Sequence, residues 1–182
     1  MDYLIVGMIG TIVLLLTIAF VSLARWRHPL YDHFYHGLAH LRADRNEEAV
    51  AEFTKAIDLD PMEPVSHYNR GLAYYYQSEY DKAIADFYRA LDINPKYAPA
   101  HVGRGMAFSR KEDHDRTITE CSRAIELKPR CAEAYLWRAI GYACKGEYDA
   151  AVSDFTQAID LDRKDYAAYF GRGLVHTFKG ED

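Results

Sequence analysis

A chain of 182 residues with net charge −5 and 49% apolar residues holds one domain and a small appendage, with enough apolar material for a buried core. Mild acidity without a basic stripe excludes nucleic acid as the partner. The cysteines Cys121, Cys131 and Cys144 are odd in number and form no CxxC pair. That excludes a disulfide framework and a zinc site, and free thiols suit a reducing compartment.

In chain order, the first predicted element is a membrane anchor over residues 3–24, YLIVGMIGTIVLLLTIAFVSLA, which hold no charged side chain. As a helix this segment would reach roughly 33 Å, enough to cross a hydrocarbon core of about 30 Å with some tilt. A cleaved signal peptide needs a positive start and a shorter apolar run. Only Asp2 precedes the segment, although Ser22 and Ala24 offer a small-x-small site. All 22 Lys and Arg lie beyond it, beginning with Arg25 and Arg27. The positive-inside rule then places the N-terminus outside and residues 25–182 in the cytoplasm, with a bacterial inner membrane as the expected host. The linker, 25–29, is too short for a flexible tether, so the expected partner is membrane-associated.

From residue 30 onward the sequence repeats every 34 residues without a slip. Arg70-Gly71, Arg104-Gly105 and Arg172-Gly173 share this spacing, as do Ala56, Ala90, Ala124 and Ala158, and also Pro61, Pro95 and Pro129. The units are 30–63, 64–97, 98–131 and 132–165, with a half unit at 166–182. Each reads as two helices, such as 65–77 and 80–93, and a proline near the end stops the second because it cannot continue the hydrogen-bond ladder.

The second unit places His67, Gly71, Tyr74, Ala83, Phe87, Ala90 and Pro95 at positions 4, 8, 11, 20, 24, 27 and 32; the fourth supplies Tyr135, Ala139, Tyr142, Ala151, Phe155 and Ala158. This pattern resembles the tetratricopeptide-repeat (TPR) family over about 150 of the 182 residues. Thr117, Cys121 and Arg163 depart from it. The half unit reads either as a solvating cap or as the start of a further repeat. The resemblance implies an all-α fold, in which the N-terminal transmembrane helix is followed by an α-solenoid of about four and a half helix-turn-helix repeats.

It also implies a binding groove on the first helices of the repeats. Carried onto this chain, the groove comprises Phe34, Tyr35 and Leu38 in the first unit and Tyr68, Asn69, Leu72, Tyr75 and Tyr76 in the second. Val102, Met106 and Arg110 follow in the third, Leu136, Trp137 and Ile140 in the fourth, and Phe170 and Leu174 in the half unit. A second apolar face on these helices needs a cover, which points to a protein or peptide partner. The carboxylate clamp of chaperone-binding relatives is missing, since Phe34, Leu38, Pro99 and Gly103 stand at its positions. An amphipathic helix or an extended apolar segment is the expected ligand.

Two further patterns have an ordinary reading. Arg70, Arg104, Arg138 and Arg172 at position 7 are matched by Glu52, Asp86, Glu120 and Asp154 at position 23, which points to ion pairs rather than an anion site. His33, His36 and His40 share one helical face, with His28 and Asp32 nearby, at a spacing that could hold a transition metal. They occupy packing positions, and His67 and His101 repeat the position-4 choice, so packing is preferred over a metal. No phosphate loop, HExxH or nucleophile elbow is present. The expectation is a non-enzymatic scaffold without a cofactor that recruits or helps assemble membrane-associated proteins. The alternatives are an accessory subunit of a larger, energy-converting membrane complex, or an import or targeting receptor.

Overall fold

The computed structural model describes residues 29–180. They form nine helices and no strand: α1 (29–42), α2 (Asn46–Leu59), α3 (Pro64–Tyr76), α4 (Tyr80–Ile93), α5 (Ala98–Arg110), α6 (His114–Leu127), α7 (Ala132–Cys144), α8 (Tyr148–Leu161) and α9 (Tyr166–Lys179). The expected anchor, 3–24, lies outside the described residues. The expected single-pass placement, N-terminus outside and repeats in the cytoplasm of a bacterial inner membrane, is corrected here. Among the described residues no helix is long and apolar enough to cross a membrane. Helices of 13 or 14 residues reach only about 20 Å against a core of about 30 Å.

The described residues divide into two compact units, one up to Pro61 and one from Met62 onward. In the first, α2 buries Ala49, Phe53, Ala56 and Ile57. Gly37 of α1 lies so close to Phe53 that an added Cβ would fall 2.6 Å from the ring. In the second unit each helix packs on its neighbours in sequence. The odd-numbered helices also touch one another, α3 on α5, α5 on α7 and α7 on α9, whereas the even-numbered ones do not. That asymmetry curves the unit and puts the odd helices on its inner side.

The local rules repeat with the sequence. Position 15 is left-handed in every unit, at Asp44, Ser78, Glu112, Gly146 and Gly180. The residue after it closes a Schellman-type turn: the N–H groups of Glu79, Asp113 and Glu147 donate to the carbonyls of Tyr74, Phe108 and Tyr142, each at 2.9 Å. The second helices α2, α4 and α6 end two residues before Pro61, Pro95 and Pro129. Helix α8 ends at the same register without a proline. There Asp162 turns extended, and its Oδ1 accepts from the Lys164 N–H at 2.9 Å, so an Asx turn stops the helix.

Glycine and alanine admit the large rings between helices. Phe87 is fully buried against Gly71 of its own repeat and Gly103 of the next, and an added Cβ at either would lie 2.7 Å from its ring. Phe155 meets Gly171 in the same way at 2.5 Å. The third repeat breaks this pattern: position 24 is the small, buried Cys121, against Gly105, and the residue that follows at the register of Gly103 and Gly171 is Trp137. Burial drives the Cys121 thiol well above its ordinary range, so it is an unreactive packing group.

Candidate functional site

The inner side of the second unit collects the residues expected in the groove, but not all at the surface. Val102 and Met106 of α5 are buried with Ala124 and Ala134, and Tyr75 of α3 and Trp137 of α7 pack against them. Asn69 is buried too, its amide donating to the Val65 carbonyl of its own helix at 2.7 Å. Leu72, Tyr75, Leu136, Trp137 and Ile140 are half-buried: Leu72 packs on the cluster around Phe87, and Leu136 and Ile140 pack on the one around Phe155. Tyr76 is 57% exposed, with its ring 5.6 Å from that of Tyr75. Tyr68 packs on Phe87 and Tyr97. Phe170 and Leu174 of α9 are open, Phe170 at 70%. In the first unit Phe34 lies edge-on to Phe53 and Tyr35, Leu38 is half-buried and Tyr35 is exposed.

Two charged groups accompany these side chains. Arg110, exposed at the end of α5, donates from Nε to the Tyr80 hydroxyl at 3.2 Å. Glu133, at the start of α7, stays open to water yet is crowded by protein; this desolvation, with Asp165 nearby, raises its carboxyl above the usual range. Burial likewise raises the phenols of Tyr68 and Tyr75. Tyr80 was not singled out from sequence, whereas Glu133 stands at position 2 of the fourth unit, one of the groove positions read there.

The position-7 arginines are occupied structurally. Arg70 and Arg138 each grip an aspartate with two hydrogen bonds, to Asp86 at 2.8 and 2.8 Å and to Asp154 at 2.6 and 2.8 Å. Arg104 meets Glu120 at 2.9 Å and covers the Tyr88 ring. The position-4 histidines join the same network, His33 to Glu52 at 2.6 Å, His67 near Asp86 at 3.7 Å and His101 to Glu120 at 2.8 Å. His36 is exposed and His40 half-buried. Among the described residues no three His, Cys, Asp or Glu side chains are placed to hold a metal ion. A second ladder was overlooked in the sequence. Lys111 pairs with Asp81, Lys145 with Asp115 at 2.6 Å and Lys179 with Asp149 at 2.7 Å, each linking one repeat to the one before.

Paired helices with shared registers, stacked so that one set lines an inner face, define an α-solenoid of the protein-interaction class. Family models described as tetratricopeptide repeat match residues 64–97 and 132–165, and one described as TPR repeat matches 37–78; the chain belongs to the tetratricopeptide-repeat family. Three solved structures share the fold. MamA from residue 41 to its end, from Desulfovibrio magneticus RS-1, is 18% identical with a TM-score of 0.73, covering 85% of this chain and 87% of that one. TTC0263, a thermophilic TPR protein of Thermus thermophilus, is 18% identical with a TM-score of 0.75, covering 84% of each chain. YrrB, described as a TPR protein with an unusual peptide-binding site, is 22% identical with a TM-score of 0.63, covering 82% of this chain and 77% of its own. No curated protein matches the chain. The family's fold is that of a protein–protein interaction scaffold.

Proposed function

We propose that the inner face of α3, α5 and α7 binds a segment of a partner protein, an amphipathic helix or an extended apolar stretch, and that the chain serves as a recruiting scaffold rather than an enzyme. The observation that carries this reading is exposed Tyr76 beside half-buried Tyr75, which with half-buried Trp137 packs on buried Val102 and Met106. Rings of this kind give contact area at low entropic cost and keep a polar tip for hydrogen bonding. A partner that brings apolar side chains to Tyr76 and Trp137 and an acid to Arg110 would satisfy the face. A peptide-binding site in YrrB, a neighbour in fold, is in keeping with this use.

The test places a photo-crosslinking residue at Tyr76 and, in a second protein, at Tyr88 on α4, which is also exposed. Capture of a discrete partner from position 76 and not from 88 supports the inner face. Equal capture from both sites would count against it.

A further inference from the structure

The inner face of the second unit carries two charges that no described residue neutralises. Arg70, Arg104 and Arg138 all meet acids, as do the lysines of the second ladder. Arg110 meets only the hydroxyl and ring of Tyr80. Glu133 has neither a hydrogen bond nor an ion pair among the described residues. Its surroundings do not suit an isolated carboxylate: the protein crowded around it, and then Asp165, disfavour the charged form. The Tyr68 phenol, raised by burial first and by Glu133 next, marks that ring as a neighbour. A cation brought from outside would relieve the strain on Glu133.

The two charges stand at opposite ends of one surface. Glu133 is the second residue of α7 and Arg110 the last of α5, positions 2 and 13 of their units. The first helices of successive repeats run in the same direction, so the charges lie about 16 Å apart along the helix axes. The Tyr75 phenol is within the field of both; burial acts on it first, then Arg110, and more weakly Glu133. Helices α3 and α7 each touch α5 but not each other. Between them Val102 and Met106 of α5 are buried, with Tyr75 and Trp137 packed on them from either side.

We propose that the inner-face ligand is a partner helix antiparallel to α5 and α7, with an acid in its first turn for Arg110 and a lysine or arginine about 11 residues later for Glu133. This rests on the inner-face reading above. Eleven steps of about 100° return to nearly the same side, so both charges share one face with the apolar residues between them. An extended strand covers the same distance in about five residues, which turns its two charges to opposite sides. The direction follows from the ligand's own dipole. Acids are favoured at the start of a helix and bases at its end, and only the antiparallel setting brings that start to Arg110 and that end to Glu133.

The test titrates the full 182-residue chain with two fluorescent, helix-stapled peptides of one composition. One carries Glu at its second residue, Lys at its thirteenth and Leu on the same face between them; the other exchanges Glu and Lys. Stapling is needed because so short a helix is marginal alone. The first should bind saturably and about tenfold more tightly than the second. Glu133→Gln, a neutral change at an exposed position, should remove most of that preference. Arg110→Glu combined with Glu133→Lys should invert it, with native circular dichroism in each variant. Equal binding of the two peptides, both weakened by Tyr76→Ala, keeps the inner face in use and overturns the polarity and direction proposed here. Binding of neither peptide also overturns them, while crosslinking from Tyr76 tests the inner face separately. Binding that Tyr76→Ala leaves unchanged counts against both readings. Tighter binding of an unstapled, proline-interrupted peptide would make the ligand extended, and a dimer dissolved by Glu133→Lys would make a second copy the occupant; either overturns the proposal.

Discussion

Arg70 and Asp86 face each other through two parallel hydrogen bonds, Nε to Oδ2 and Nη2 to Oδ1, both 2.8 Å long. The aspartate is buried and the arginine partly so. Burial works to raise the Asp86 carboxyl, but the hydrogen bonds from Arg70 and then His67 outweigh it and hold it below the ordinary value of 3.8. A depressed carboxyl stabilises the fold above its unfolded value, and the gain is lost as pH falls through the folded one. Asp86→Asn should therefore cost about 2 kcal/mol at pH 7. Urea denaturation of both proteins across the acid range should show the difference shrinking below about pH 4; a difference constant down to pH 2 would refute the assignment.

One register should respond in opposite directions at two places. Gly71→Ala drives a Cβ to within 2.7 Å of the Phe87 ring, which cannot retreat because Gly103 holds it from the next helix. Overpacking of this kind costs about 1–3 kcal/mol. Gly173→Ala meets nothing within 4 Å and should gain about 0.5–1 kcal/mol from helix propensity. Thermal melts of the two variants decide the matter.

Backbone strain at the turns is removable. Glu112 sits at φ 62 where Gly146 and Gly180 occupy the same register. Glu112→Gly should raise stability by about 1 kcal/mol, since a side chain in this region clashes with its own backbone. A melting temperature lower than that of the unaltered protein would show the Glu112 side chain to be needed elsewhere.

The two ion-pair ladders should differ in worth. Arg138→Ala leaves Asp154 buried without its two hydrogen bonds and should cost about 2 kcal/mol. Lys145→Ala removes a partner of Asp115, whose side chain is 82% exposed, and should leave the melting temperature unchanged within scatter. Equal losses would mean that the lysine ladder also holds the repeats together.

Much of this was legible in the sequence because each repeat states its own rules. The helix expected at 80–93 is α4, Tyr80–Ile93, and the arginine–acid pairing is found at Arg70, Arg104 and Arg138. Helix α3 runs Pro64–Tyr76 rather than 65–77. Proline suits the first helical position because its missing N–H would go unbonded there. What the sequence hid lies between repeats. Val102 and Met106 looked like open groove residues, but Tyr75 and Trp137 from the flanking helices close over them. The lysine–aspartate pairs span 30 residues, and a reading confined to one unit at a time does not join them. His33 showed its spacing to other histidines, whereas its hydrogen bond to Glu52 depends on how α2 packs.

The exchange of sizes at Cys121 and Trp137 bears on how such a gene can change. Tandem repeats of one length can be lost or gained as whole units in register. Loss of residues 98–131 would keep the reading of every helix and turn intact. It would also bring Trp137 to the seat where Gly103 now admits Phe87. Two rings cannot share a space shaped for one, so the shortened protein would be overpacked at this seat. The third and fourth repeats are thus matched to each other in size at this seat and are not interchangeable with the rest.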